Sequence, residues 1–263
     1  MKLAGQRVLL TGATGGIGAA VARRLAGDGA RLVLSGRRAD VLDGLAQEIG
    51  ADVITADLSD PAAVERLVER AGEIDILIAN AGLPATGRLA AYTTVQLDRA
   101  LAVNLRAPIV LANALTPAMV GRGHGHVVFM SSIAGKSATP RSSVYNATKF
   151  GLRGFSLALR AELRSAGVGV SAIFPGFIRD AGMFADTGIK LPPGVGTKTP
   201  EQVAKAVVRA IRHNRAEVDV APFGLRFSAV LSGIAPELVL QSGRLLGTDR
   251  VARKFEDRQV DKR

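Results

Sequence analysis

The sequence contains no cysteine and no tryptophan, and aromatic residues make up only 4% of its 263 residues. Without cysteine the chain can form no disulfide and no thiolate metal site, and thiol catalysis is excluded. Its three histidines, His124, His126 and His213, lack the carboxylate neighbours and helical spacing of a metal cluster, so no metal site is predicted. Because hydrophobic residues still account for 48% of the chain, the predicted core consists mostly of Ala, Val, Leu and Ile.

Long apolar runs are missing as well. No segment approaches the eighteen or so uninterrupted apolar residues of a membrane span, and Met1–Arg7 is too short for a signal peptide, so we expect a cytoplasmic protein. The formal net charge of +11 raises the alternative of a nucleic-acid or anionic-membrane partner. The arginines, however, are spread among acidic residues and are not interleaved with aromatics. This pattern favours a solvated basic surface and no nucleic-acid partner.

The chain does contain a regular alternation of strand and helix patterns between residues 6 and 220. The predicted strands are Gln6–Leu10, Arg31–Ser35, Val53–Ala56, Ile74–Ala79, His126–Met130, Val168–Phe174 and Glu217–Val220. The predicted helices are Ala19–Ala26, Asp40–Ile49, Pro61–Ala71, Val95–Val120, Val144–Ala166 and Pro200–His213. Such alternation predicts an α/β fold with one parallel sheet covered by helices on both faces. Because no repeat or linker divides the chain, we predict a single domain over residues 1–263.

A glycine-rich loop lies between the first predicted strand and the first predicted helix. Thr11–Gly18 reads TGATGGIG, a G-x-x-x-G-x-G spacing that is looser than the usual dinucleotide fingerprint G-x-G-x-x-G. Glycines allow a tight turn and let backbone N–H groups approach an anion at the N-terminus of the helix. The position of this loop therefore predicts a site for the pyrophosphate of a dinucleotide.

The end of the second predicted strand indicates which dinucleotide. A carboxylate there binds the adenosine ribose of NAD, whereas an arginine accommodates the 2′-phosphate of NADP. Here Gly36, Arg37 and Arg38 follow the strand, without an acid. The two arginines are either solvated or bind a phosphate, since the positive end of the helix that follows disfavours cations. We favour NADP over NAD, with Arg37 as the better candidate.

Tyr145 and Lys149 lie four residues apart in a predicted helix, so their side chains share one face. An ammonium close to a phenol favours the phenolate, and we expect it to lower the pKa of Tyr145 from about 10 toward neutrality. A tyrosine tuned in this way can exchange a proton near pH 7. The alternative is a solvated surface pair, which is the commoner reason for this spacing.

Together these motifs make the sequence similar to the short-chain dehydrogenase/reductase family over about residues 5–220. The matching positions, in the order of the family's motifs, are Thr11–Gly18, Asp57-Leu58, Asn80-Ala81-Gly82, Asn104, Ser132, Tyr145, Lys149 and Pro175-Gly176. The resemblance implies a Rossmann-type, doubly wound parallel sheet of about seven strands. It also implies an NAD(P)-dependent oxidoreductase that transfers hydride between NADP(H) and a carbonyl or secondary alcohol.

The resemblance assigns roles to individual residues. Tyr145 would exchange the proton with the substrate oxygen, and Lys149 would lower the pKa of the tyrosine and bind the nicotinamide ribose. Ser132, preferred to Ser131 for its distance from Tyr145, would steady the substrate oxygen, and Asn104 would hold a water linked to Lys149. The implied cofactor-binding positions are Gly12, Thr14, Gly16, Ile17, Gly18, Arg37, Asp57, Leu58, Asn80, Ala81, Gly82, Tyr145, Lys149, Pro175, Gly176 and Ile178. Individually, Asp57 could merely precede a helix, and Asn80 and Gly82 could be simple turn residues.

The sequence departs from the family pattern in two places. Asp180 stands where the family has a threonine that bonds the nicotinamide carboxamide, and an ionised carboxylate can accept but not donate, so backbone groups near Ile178 are an alternative. The chain also continues past the family's last strand, over about 221–263. For this apolar stretch Ala221–Gly247 and charged end Thr248–Arg263 we expect two helices that pack on the body or on a second subunit. A substrate cover and a peripheral membrane contact are the alternatives.

The segment Phe177–Pro193 lies where the family places a mobile substrate lid. Its apolar residues Met183, Phe184 and Ile189 predict a hydrophobic carbonyl or secondary-alcohol substrate, with Leu83, Ile133 and Ala134 as further neighbours. The family also forms oligomers, so we expect a homodimer through Val103–Val120 and Val144–Ala166, or a homotetramer that the extension places in doubt. The alternative function is a non-catalytic NADP-binding sensor or scaffold.

Overall fold

Seven parallel strands form one sheet in the computed structural model, which describes residues 1–189, 191, 195–245 and 248–259. Neighbouring strands pair in the order β3-β2-β1-β4-β5-β6-β7. Their bounds are β1 Arg7–Thr11, β2 Arg31–Gly36, β3 Asp52–Thr55, β4 Ile76–Ala79, β5 Gly125–Met130, β6 Val168–Pro175 and β7 Glu217–Val220. The predicted sheet is confirmed, and no strand boundary differs from its prediction by more than two residues.

Helices cover both faces of this sheet, as the doubly wound prediction requires. Their bounds are α1 Gly16–Gly27, α2 Ala39–Ile49, α3 Pro61–Ala71, α4 Thr94–Leu101, α5 Ala107–Arg122, α6 Ser143–Leu163, α7 Pro200–His213, α8 Phe223–Ile234, α9 Pro236–Leu245 and α10 Thr248–Gln259. Successive strand residues point to opposite faces. Val8 and Leu10 therefore pack with α1, α2 and α7, whereas Leu9 between them packs with α3, α5 and α6. All three side chains are fully buried.

The parallel direction of the strands sets the position of the motifs. The glycine loop follows β1, Asn80–Gly82 follows β4, Ser131 and Ser132 follow β5, and Gly176 follows β6. In a parallel sheet these carboxyl ends meet at one edge. The chain leaves β1 toward β2 on one side and reaches β4 on the other, so β1 and β4 define the switch point at which doubly wound sheets bind ligands.

Local sequence explains the ends of the helix that follows β3. Asp60 accepts a hydrogen bond from the N–H of Ala62 at 2.9 Å, and Pro61 occupies the first helical position, where it needs no hydrogen-bond partner. Asp60 is therefore the cap of α3. Asp57, three residues earlier, is left for another role.

The helical stretch Thr94–Arg122 is continuous, because α4 and α5 are joined by the π-helical turn Ala102–Arg106. By length and composition alone it could cross a membrane, and it is the one such helix in the part of the chain that the structure describes. Half of its most apolar window is buried inside the protein. Its apolar composition is thus that of a core helix packed against the sheet.

The C-terminal extension differs from its prediction. Three helices, α8, α9 and α10, follow β7 instead of two, and the charged end is helical from Thr248 to Gln259. Helix α10 could not be predicted from composition, because the contacts that stabilise it are polar and aromatic contacts with distant parts of the chain. Positions 246–247 and 260–263 of the predicted extension lie outside the described residues, as do positions 190 and 192–194 of the predicted lid.

Helix α8 buries Ala229 but leaves a line of large apolar side chains in solvent. Phe223, Phe227, Val230 and Ile234 follow helical spacing and are all exposed, with the two phenylalanine rings stacked at 6.3 Å between centroids. Only one side of α8 therefore packs on the body of the protein.

His126 is the buried histidine of the chain. Its Nε2 lies 2.8 Å from the Ser171 hydroxyl, and burial, with smaller contributions from Arg160 and the N-terminus, lowers its pKa to about 3. The ring is therefore neutral at physiological pH and belongs to the core. Among the described residues, no three His, Asp or Glu side chains converge as a metal site would require.

Candidate active site

Ser132 and Tyr145 meet at the carboxyl edge of the sheet. The Ser132 hydroxyl is a hydrogen-bond partner of the Tyr145 phenol, although the two residues come from the end of β5 and the start of α6. The same hydroxyl oxygen accepts from the N–H of Ala134 at 3.2 Å and lies 3.4 Å from the carbonyl oxygen of Pro175. Ser132 thus links the β5 turn, the β6 end and the tyrosine at one point.

Ser131, the neighbouring candidate, faces elsewhere. Its buried hydroxyl donates to the backbone carbonyl of Lys149 at 3.2 Å. This contact holds the first turns of α6 against β5, and Gly135 permits the approach, since a Cβ on Gly135 would lie 2.7 Å from the same carbonyl oxygen. Ser131 is therefore a support for the helix, and Ser132 is the serine that reaches Tyr145.

The predicted effect of Lys149 on Tyr145 is wrong for this structure. Burial raises the pKa of Tyr145 above its ordinary value of 10, and the hydrogen bond with Ser132 only partly offsets the rise. The Lys149 ammonium lies 5.6 Å from the centre of the tyrosine ring and donates to the Met130 carbonyl oxygen at 2.9 Å. Desolvation sets the direction of the shift, so Tyr145 is a neutral phenol at pH 7.

Lys149 is itself almost completely buried, with 3% of its surface exposed. Burial lowers its pKa to about 8 from 10.5. A lysine whose pKa lies near neutral pH can pass its proton on more readily than an exposed one. Because the ammonium sits one helical turn from Tyr145, it is placed to supply positive charge when the phenol loses its proton.

We expect Lys149→Met to stabilise the protein at pH 7, because it removes a buried charge that costs on the order of 3 kcal/mol for a pKa displaced from 10.5 to about 8. Below pH 8 that cost is present in full. Between pH 8 and 10.5 the unfolded chain binds more protons than the folded protein, so wild-type stability rises with pH.

The advantage of Lys149→Met in urea unfolding should therefore shrink from pH 7 to pH 9.5. The matched control is Lys205→Met, which changes an exposed lysine on α7 and should show no such pH dependence. An advantage of Lys149→Met that stays constant over this pH range would contradict the assigned titration.

Asn104 and Lys149 both approach Gly82. A Cβ on Gly82 would come within 3.4 Å of Asn104 Oδ1 and 3.7 Å of Lys149 Nζ. The Asn104 amide is fully buried: its Oδ1 accepts from the N–H of Leu83 at 2.7 Å, and its Nδ2 donates to the Leu83 carbonyl at 2.9 Å. Asn104 thus fixes the loop after β4 beside Lys149, from the π-helical turn, a feature frequent at functional sites.

Asn80 braces the glycine loop. Its Nδ2 donates to the carbonyl oxygens of Thr11 and Gly12 at 3.0 and 3.1 Å. Gly12 adopts a φ of +68°, and a Cβ there would lie 2.7 Å from Ala81 Cα, so only glycine fits. A Cβ on Gly18 would lie 2.2 Å from the Gly12 carbonyl oxygen, which explains why α1 can start so close to β1.

The two arginines after β2 have different surroundings. Arg38, the residue just before α2, donates to the carbonyl of Thr14 in the glycine loop. Arg37 is exposed and lies close enough to Asp57 to lower the pKa of its carboxyl group. The sequence favours Arg37 as the residue that binds the 2′-phosphate. It does not predict the hydrogen bond from Arg38 to Thr14, because nothing in the sequence beyond the pair of arginines indicates it.

Asp57 lies between β3 and α3, close to Arg37. Burial alone would raise the pKa of its carboxyl group, but hydrogen bonds from the N–H and hydroxyl of Ser59, at 3.0 and 2.7 Å, and the charges of Arg37 and Arg99 lower it. One oxygen, Oδ1, receives both Ser59 bonds. The ionised carboxylate is therefore held in a fixed orientation between β3 and α3.

The segment after β6 closes over the glycine loop. A Cβ on Gly16 would lie 2.0 Å from Ala181 Cβ, and the Met183 methyl group lies 3.6 Å from a Cβ on Gly82. Two backbone hydrogen bonds join this segment to Lys198, and they use the groups of Phe177 and Arg179 and neither group of Ile178. Among the described residues, no backbone hydrogen bond between separate segments uses the groups of Ile178, which are therefore candidates to bind another partner.

Asp180 does not substitute for the family's threonine. Its φ is +70°, its side chain is largely exposed, and its carboxylate pairs with the guanidinium of Arg179 at 3.3 Å. The ion pair on the surface turns the carboxylate toward solvent. This leaves the Ile178 backbone as the alternative that the sequence raised.

Comparison with known proteins matches this geometry. Residues 6–190 match the family described as short chain dehydrogenase. Ketoacyl reductase HetN from Nostoc sp. is 38% identical over 230 residues, which cover 83% of this chain and 79% of that protein. Dehydrogenase/reductase SDR family member 7B from Bos taurus is 34% identical over 253 residues, 88% of this chain and 78% of that protein. The solved structure of a short-chain dehydrogenase from Sphingobium yanoikuyae, in complex with NADPH, is 30% identical, with a TM-score of 0.77 over 89% of this chain and 94% of that one.

The doubly wound sheet and the serine, tyrosine and lysine at its carboxyl edge define an NAD(P)-dependent oxidoreductase that acts on CH–OH or C=O groups. The chain belongs to the short-chain dehydrogenase/reductase family.

Proposed function

We propose that the protein reduces the carbonyl group of a hydrophobic substrate with NADPH. The observation that carries this proposal is the convergence of Ser132, Tyr145 and Lys149, with Tyr145 held as a neutral phenol by burial. A phenol donates a proton, which is the step that reduction of a carbonyl needs. A tyrosine that was already ionised would suit oxidation of an alcohol instead.

The residues of the site have distinct roles in the proposed reaction. The glycine loop and the arginines after β2 would hold NADPH, which when bound would supply the hydride for a carbonyl carbon. The Ser132 hydroxyl orients the carbonyl oxygen, and Tyr145 donates its proton to that oxygen as the alcohol forms. The resulting phenolate is stabilised by the Lys149 ammonium and by Ser132, and it regains a proton from solvent.

Two features of the sequence support NADPH over NADH. No carboxylate directly follows β2, and two arginines stand in its place. An exposed arginine such as Arg37 can hydrogen-bond a 2′-phosphate, which NADH lacks. The similar dehydrogenase from Sphingobium yanoikuyae is itself described in complex with NADPH.

The hydrophobic substrate is proposed from the residues around the lid. Phe177 and Phe184 lie 5.1 Å apart between ring centres, Leu83 is buried and hydrogen-bonded to Asn104, and Ile178 is buried as well. Because the similar protein from Nostoc sp. is named a ketoacyl reductase, acyl thioesters with a keto group belong in the first substrate panel, beside ketones and aldehydes. NADPH consumption with any of these compounds supports the proposal. Binding of NADPH without consumption across the panel would favour the sensor or scaffold instead.

We also propose that the protein is cytoplasmic and forms a homodimer through α5 and α6. Phe150 and Leu157 are seven residues apart on α6 and are 41% and 40% exposed, as expected for one face of such an interface. Recovery in a membrane fraction after cell lysis would contradict the location.

The variant Phe150→Glu/Leu157→Glu should shift the dimer to monomer in light scattering, because two carboxylates would be buried without partners. Val230→Glu, on the exposed face of α8, is the matched control and should remain dimeric. Dissociation by Val230→Glu alone would place the interface on α8 and contradict the proposal.

A further inference from the structure

Gln259, the last residue of α10, is a buried polar side chain with 3% of its surface exposed. Its Oε1 accepts from the Thr86 hydroxyl at 2.7 Å, and its Nε2 donates to the backbone carbonyl of Met183 at 3.0 Å. Thr86 lies in the loop after β4, whereas Met183 lies in the lid after β6. One amide therefore joins two segments that approach the catalytic residues from different sides.

A second residue of α10 anchors the helix to the same loop. The Glu256 carboxylate accepts from the N–H of Arg88 at 3.0 Å and pairs with the guanidinium of Arg141. Both charged side chains of the pair are mostly buried, with 12% and 14% exposed. Because a carboxylate in this setting is costly to bury without its partners, these contacts fix the position of α10.

An aromatic contact completes the attachment to the lid. The Phe255 ring lies 6.0 Å from Phe177 and 5.7 Å from Phe184 between centroids, so three rings from α10 and the lid form one cluster. Aromatic pairs at these distances attract each other beyond the burial of their surface. The lid is thus held to α10 on its apolar side as well as through Gln259.

The segments that α10 joins continue directly to the catalytic residues. The methyl group of Met183 lies against Gly82, close to Asn104 and Lys149. On the other side, the N–H of Tyr145 donates to the carbonyl of Ala85, one residue before Thr86. A shift of α10 would therefore move both walls of the space in front of Tyr145.

We propose that α10 is a wall of the substrate site and that Gln259 is a positioning residue, which holds the lid at a fixed distance from the loop after β4. The inference rests on the proposed function, since it assigns the apolar substrate to the space between these segments. Of the alternatives that the sequence left open for the extension, the proposal selects the substrate cover, and α10 is the helix that covers the substrate.

The test uses two substitutions of Gln259 in the full-length protein. Gln259→Glu keeps the acceptor for Thr86 but removes the donor to Met183 and sets a carboxylate against its carbonyl oxygen. Gln259→Ala removes both bonds. We expect hydrogen exchange in the peptide 177–189 to accelerate at least about tenfold in each variant, since the lid loses a buried hydrogen bond. Arg258→Ala, an exposed neighbour on α10, is the matched control and should leave this exchange unchanged.

Steady-state kinetics with NADPH and a bulky apolar ketone supply the second readout. Both Gln259 variants should raise KM about tenfold or more with a smaller change in kcat, because the residue positions a wall and does not contact the reacting atoms. Wild-type exchange in 177–189 together with an unchanged KM would overturn the inference. If the wild-type protein turns over no carbonyl compound, the proposed function fails, whereas the exchange measurement still decides whether Gln259 positions the lid.

Discussion

Tyr145→Phe is expected to reduce turnover of a carbonyl substrate by about 10³-fold, within the range that a positioned proton donor contributes. The phenol oxygen is hydrogen-bonded to Ser132 and is the proton donor of the proposed reaction, and phenylalanine keeps the ring while removing only this oxygen. The dissociation constant for NADPH should change by less than about threefold, because the glycine loop and the arginines after β2 are untouched. Stopped-flow NADPH oxidation and fluorescence titration measure the two quantities.

The chain offers a matched control, because it contains only one other tyrosine, Tyr92. Like Tyr145, it packs against the small apolar cluster that contains Ala85 and Val144. Tyr92→Phe makes the same chemical change within the same cluster and should retain wild-type turnover to within a few-fold. Retained activity in Tyr145→Phe would remove the residue from the mechanism.

Arg37→Ala is expected to weaken binding of NADPH by about 10- to 100-fold, because a hydrogen bond to a charged group is worth roughly 1.5–3 kcal/mol. Binding of NADH should change little, since NADH has no 2′-phosphate. Dissociation constants for the two cofactors, measured by titration of wild type and variant at the same salt concentration, give the difference directly.

Arg38→Ala separates the roles of the two arginines. Arg38 donates to the Thr14 carbonyl in the glycine loop, so its loss should weaken NADPH and NADH to a similar extent through the loop. An equal effect of Arg37→Ala on both cofactors would contradict the phosphate role of Arg37. A selective effect confined to Arg38→Ala would transfer that role to its neighbour.

Much of the fold follows from local patterns. Apolar runs such as Val168–Phe174 are buried on both sides in a parallel sheet, and their period and length are visible in any short window. The cap at Asp60-Pro61 and the glycines of the first loop are equally local features, since each is determined by backbone geometry within a few residues. These features could be predicted before the structure was known.

The arrangement around the lid could not be predicted in the same way. Gln259 and Thr86 are 173 residues apart, and no pattern in a short window records that they meet. Likewise, the seven charged residues among Thr248–Gln259 suggest a solvated end, although Glu256 is mostly buried against Arg141. Long-range polar contacts depend on tertiary packing, which cannot be deduced from amino-acid composition.

The pKa of Tyr145 shows the same limit at the active site. Spacing correctly placed Tyr145 and Lys149 one turn apart, and from that spacing a lowered tyrosine pKa was expected. The structure adds burial, which raises the pKa of Tyr145 and lowers that of Lys149 to about 8. Burial cannot be deduced from spacing, and here it decides the direction of the shift and favours the proton-donating form.

The most direct measurement of the central claim is NADPH consumption by the purified protein, followed at 340 nm against apolar ketones, aldehydes and keto-acyl thioesters. We predict steady consumption with at least one apolar carbonyl compound, a slower rate with NADH, and loss of the rate in Tyr145→Phe with Tyr92→Phe unaffected. Binding of NADPH without consumption in the whole panel, or equal consumption by wild type and Tyr145→Phe, would contradict the account.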